Sequence, residues 1–103
     1  MPTSALYINV YDVNTNRIEE AEITVYQNQE LISRQLSLAN TANLFVLDTK
    51  PKEYSFDPFY PEPYISYDIE VVKSGFQSEY RSDIRVFEDI NSTLEIVMVE
   101  NNA

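Results

Sequence analysis

The stretch YDIEVVKSGF, residues 67–76, decides the fold class. Tyr67, Ile69 and Val71 alternate with Asp68, Glu70 and Val72, a period of two that puts apolar side chains on one face of an extended strand. The pattern stops at Lys73-Ser74-Gly75-Phe76. Gly75 is the only glycine among 103 residues. Such a glycine is expected where φ is positive, so 73–76 reads as a hairpin turn with Gly75 in the left-handed region.

The same period recurs on both sides of this hairpin. In LYINVYDV (6–13) it marks Leu6, Ile8 and Val10. In AEITVYQ (21–27) it marks Ala21, Ile23 and Val25, and in TLEIVMVE (93–100) Leu94, Ile96 and Met98. These read as half-buried antiparallel strands. Weaker strands are expected at LISRQLSL (31–38), NLFVLD (43–48) and SDIRVFE (82–88). Polar turns separate them at 14–17, 27–30, 39–43 and 88–92. No segment of helical length shows a 3.6-residue period with caps. The expected fold is all-β: an antiparallel two-sheet β-sandwich of about seven strands. Its core should hold Leu6, Ile8, Val10, Ile23, Val25, Leu44, Val46, Tyr67, Ile69, Val71, Ile84, Val86, Leu94 and Ile96.

The length fits one domain over 1–103, with the sandwich at 5–100, burying roughly 65% of the unfolded surface. The net charge of −10 argues against nucleic acid and anionic membrane as partners, because both would repel it. With no cysteine, neither disulfides nor a thiolate zinc site can form. The opening MPTSALYINV has no basic n-region and no long apolar run. A chain made without a signal peptide, cytoplasmic in origin, is therefore expected, and no 18-residue apolar span occurs.

With no histidine, Ser-His-Asp and Cys-His catalysis and histidine-ligated metals are excluded. One glycine cannot build a phosphate-cradling loop. No paired acids stand out for carboxylate catalysis, so no enzyme is expected. Calcium is the one metal to weigh, since Asp12, Asp48, Asp57, Glu62, Asp83, Glu88 and Asp89 offer hard oxygen ligands on loops. Without a D-x-D-x-D-G loop, they read as solvated faces and turn caps, and no cofactor is expected. Glu19-Glu20 reads as a solvated bulge. The sequon Asn91-Ser92-Thr93 reads as a turn before the last strand.

Residues 51–64 form a loop dense in proline and aromatic rings, within KPKEYSFDPFYPEPYISYD (50–68). Proline removes a backbone donor and fixes φ, which bars a central strand or helix interior here. Tyr54, Phe56 and Tyr67 are expected to close one end of the core. Around Pro58, Pro61 and Pro63 the rings cannot all turn inward together. Phe56, Phe59, Tyr60 and Tyr64 are thus the candidate partner-binding residues, since exposed aromatic clusters mark protein contacts or sugar-stacking platforms.

VYDVNTNRIEEAEITVY (10–26) resembles the opening hairpin of carboxypeptidase regulatory-like, transthyretin-like domains. YDIEVVKSGFQSEYRSDIRVFEDINSTLEIVM (67–98) resembles their closing half. Pro51, Glu53-Tyr54-Ser55, the spacer DPFYPE, Pro63-Tyr64, Tyr67-Asp68-Ile69, Gly75-Phe76 and Val86-Phe87 together look like the domain at the front of clostridial spore cortex-lytic enzymes. The peptidoglycan-cleaving region of those enzymes has no counterpart in this chain. The resemblance implies a transthyretin-like or immunoglobulin-like topology, a non-catalytic sandwich, and a spore- or phage-related particle in a Firmicute context. The function expected is a protein-binding or assembly module acting on a protein partner or on copies of itself. The alternative is an accessory domain binding peptidoglycan or another cell-wall glycan. Substitution of Phe59 and Tyr60, read by light scattering, separates self-assembly from the rest.

Overall fold

In the computed structural model, residues 3–49 and 64–101 are described. They form seven strands: β1 Thr3–Tyr11, β2 Glu22–Gln27, β3 Glu30–Leu36, β4 Asn43–Asp48, β5 Tyr64–Val72, β6 Glu79–Phe87 and β7 Ser92–Val97. No described residue is helical. The strands make a three-stranded sheet, β4-β1-β7, and a four-stranded sheet, β3-β2-β5-β6. Inward residues of both sheets form one apolar cluster, so the molecule is a small all-β sandwich.

The alternating positions behave as their period requires. Leu6, Ile8 and Val10 of β1, Ile23 and Val25 of β2, and Tyr67, Ile69 and Val71 of β5 are all buried. Val86 and Ile96 join them, while Ile84 and Leu94 pack against the cluster half-buried. Ile18, Ala21, Ile65 and Met98 are further core members. Tyr67 ties the two sheets together, since its hydroxyl donates to the main-chain oxygen of Asp48 at 2.8 Å.

Turns fall where their residues demand. Asn28 and Gln29 both have positive φ between β2 and β3, the mark of a type I′ hairpin turn. Asp12 Oδ1 accepts from the amides of Asn14 at 2.8 Å and Asn16 at 3.0 Å, which shapes the turn after β1. Gly75 has φ +88° between β5 and β6, as its isolation in the sequence led one to expect. Its carbonyl accepts from the Asn101 amide at 2.9 Å, and Gln77 donates to Val99 at 2.8 Å. The glycine turn therefore also anchors the strand-like tail that follows β7.

Two expectations need correction. Leu44 and Val46 were assigned to the core; they are 45% and 64% exposed, and Phe45 and Leu47 are buried in their place. Residues 44–47 are all apolar, so alternation has no phase there. The register with β1 supplies it: Leu6, which faces inward, lies opposite Phe45. Asn43 completes the inward set. It is buried with its amide donating to Gln35 Oε1 and Leu36 O at 2.9 Å, while its Oδ1 accepts from Leu38 N at 3.0 Å.

The second correction concerns direction, because β7 runs parallel to β1 rather than antiparallel. Side-chain alternation is the same for either direction, and β7 reaches β1 only after the chain has crossed into the other sheet and back.

Candidate functional site

The outer face of the three-stranded sheet is set by the residues of β1 that do not face the core. Thr3, Ala5, Tyr7, Asn9 and Tyr11 point outward because Ser4, Leu6, Ile8 and Val10 point in. On one side, Asp48, Val46 and Leu44 lie opposite Thr3, Ala5 and Tyr7. On the other, Thr93, Glu95 and Val97 lie opposite Tyr7, Asn9 and Tyr11. The result is a solvent-facing patch of Ala5, Tyr7, Tyr11, Leu44, Val46 and Val97. Val97 is 45% exposed, like Leu44. Single exposed apolar residues are ordinary; adjoining ones across three strands are not.

Arg17 closes one end of the patch. Its backbone bridges Tyr11 beyond the start of β4, and Ile18 donates to Val10 O at 3.0 Å. The guanidinium carbon lies 5.1 Å from the Tyr11 ring centroid, and Nη1 donates to Asn9 Oδ1 at 2.8 Å. This cover leaves Asn9 buried although it sits on an outer face. The edge of β4 is also occupied, since Gln35 Nε2 donates to Leu44 O at 2.8 Å. With Asn43 bonded to Leu36 O, the edges of β3 and β4 are tied side chain to backbone.

The outer face of the four-stranded sheet mixes exposed apolar residues, Leu36, Val72 and Tyr80, with charged ones. Glu22 pairs with Arg34 at 3.2 Å, and Asp68 and Glu70 stand beside them on β5. Tyr80 lies opposite Glu70. Its hydroxyl is pushed above the ordinary tyrosine range by desolvation and then by Asp68. Asp83, at φ +57° in the β6 bulge, is held below the usual carboxylate range by Arg85 and then by Ser66.

Of the aromatic candidates, Tyr64 opens β5. Its ring packs 5.6 Å from that of Phe87, and the Arg85 guanidinium carbon lies 4.7 Å from its centroid. It is thus on the acidic, arginine-bearing face. Phe56, Phe59 and Tyr60, with Tyr54, Asp57 and Glu62, lie outside the described residues.

Among the loop acids, Asp12 caps its own turn, and Asp48 ends β4. Asp83 pairs with Arg85 at 3.1 Å, and Glu88 and Asp89 follow β6. No three His, Cys, Asp or Glu side chains converge among the described residues. Glu19 and Glu20 are exposed, with Glu20 at φ +61°. Asn91 is exposed immediately before β7. An open groove of about 200 Å³ lies between Asp12, Val13, Asn14, Met98, Val99 and Glu100, with only the turn-capping Asp12 and Glu100 as titratable groups.

The apolar outer face was missed in the sequence, yet one signal pointed to it. A strand of six residues with four consecutive apolar positions, NLFVLD, is apolar on both faces whichever way it turns. No protein-family model matches the chain, and no curated sequence matches it.

Proposed function

We propose that this chain is a non-enzymatic protein-binding or assembly module whose working surface is the outer face of the three-stranded sheet. One observation carries the reading: Leu44, Val46 and Val97 are about half or more exposed, side by side with Ala5, Tyr7 and Tyr11. Covering such a face with protein removes apolar area from water at about 25 cal/mol per Å². On the opposite face Asp68 and Glu70 stand beside the arginine-paired Glu22, and this net negative charge disfavours contact between copies there. One form of such a module is a repeated subunit of a spore- or phage-related particle, as the likeness to cortex-lytic enzymes implies. A transthyretin-like strand order belongs to the same reading.

The test is site-specific photo-crosslinking in the native cell. A photoreactive side chain in place of Val46 should form discrete protein adducts, and one in place of Tyr80, on the opposite sheet, should not. Equal labelling at both positions, or none at position 46, removes this surface as the working one.

A further inference from the structure

We infer that the occupant of this face is a second copy of the chain, stacked on it about a twofold axis with the two β1 strands antiparallel. The inference rests on the module reading and adds its partner and geometry. The face carries opposite charges at its two ends along the β4 side of β1. Asp48 lies opposite Thr3 at one end, and Arg17 lies opposite Tyr11 at the other. Tyr7, the midpoint, is four residues from each and lies opposite Leu44. The ends are roughly 26 Å apart at strand spacing. A twofold axis lying in the interface through the Tyr7–Leu44 row exchanges those ends. It sets Asp48 of each copy against Arg17 of the other, with Leu44, Val46, Ala5 and Tyr7 enclosed between the two charge pairs. A contact of this kind is self-complementary and closes at two copies.

Charge distribution favours this occupant. The chain carries a net −10, a burden that opposes association of copies through most of its surface. On this face, however, the acids are Asp48 and Glu95, and Arg17 offsets one of them. The four-stranded sheet presents Glu22, Asp68, Glu70 and Asp83, of which Arg34 and Arg85 pair with two. On the three-stranded sheet a second copy meets one uncompensated acid beside the exposed strip of Leu44, Val46 and Val97. The ends of its two halves attract rather than repel.

Sedimentation velocity on the full chain, from micromolar to millimolar concentration, tests this. The wild type should reach a dimer and no larger species. Val46→Asp, at an exposed position that leaves the fold intact by circular dichroism, should weaken dimerisation by about tenfold or more, because it buries an unpaired carboxylate. Asp48→Arg and Arg17→Asp should each weaken it about threefold or more at low salt, with the double reversal restoring it. A strict monomer, a dimer indifferent to Val46→Asp, a higher oligomer, or double reversal without rescue overturns the inference. None of these results bears on the position 46 adducts, which judge the module reading separately.

Discussion

Phe45 and Val46 are neighbours in the chain and opposites in environment. Phe45 is 2% exposed, packed in the core, while Val46 faces water. Phe45→Ala should therefore cost about 3–5 kcal/mol of unfolding free energy, through lost transfer energy and the cavity left behind. Val46→Thr keeps the β-branched shape and should change stability by no more than about 0.5 kcal/mol. Urea denaturation in dilute solution checks the pair, and a reversed order of costs would show that the β4 register is wrong. At positions such as Ile23, Ile69 and Ile96 the inward face was legible in the sequence, because a charged or polar neighbour marks the other face. At β4 it was not, since Leu44-Phe45-Val46-Leu47 gives water and core the same chemical bid.

At the scale of elements, turns were the most legible features. Gly75 stands alone in composition and sits at φ +88°, with no atom beyond its two chain neighbours within 4 Å of where a Cβ would be. Gly75→Ala thus meets no steric neighbour and should lose only the conformational term, about 1–2 kcal/mol for a left-handed L-residue. Scanning calorimetry should show the melting temperature falling by at least about 4 °C for a domain of this size. An unchanged melt would mean that the turn relaxes freely. Strand direction was less legible. The alternation of Leu94, Ile96 and Met98 fixes which face of the last strand is buried but carries no arrow. Its parallel placement beside β1 follows from where the chain must come from. The edges of β3 and β4 were equally hidden, because the bonds of Asn43 and Gln35 that close them join residues on different sheets.

At the scale of the molecule, Tyr67 couples the sheets and couples stability to pH. Burial, and then the nearby Asp48 charge, raise its pKa above the 10.0 of a free tyrosine. The folded state therefore holds this proton more tightly than the unfolded chain does. The contribution is complete below pH 10 and is lost as pH climbs through the folded value, so stability falls with rising alkalinity. Tyr67→Phe should flatten that fall in melting temperature above about pH 10, while costing about 0.5–1.5 kcal/mol at neutral pH for the lost bond to Asp48 O. An alkaline slope identical to wild type would place the titrating group elsewhere.

The sequence by itself determined an all-β sandwich, the turn positions and the absence of histidine and cysteine chemistry, because period, glycine placement and composition are local properties. Only the tertiary structure decided the phase of β4, the direction of β7 and so the apolar outer face. Those depend on which strand lies alongside, and a strand learns its inward side from a partner whose own face is already settled.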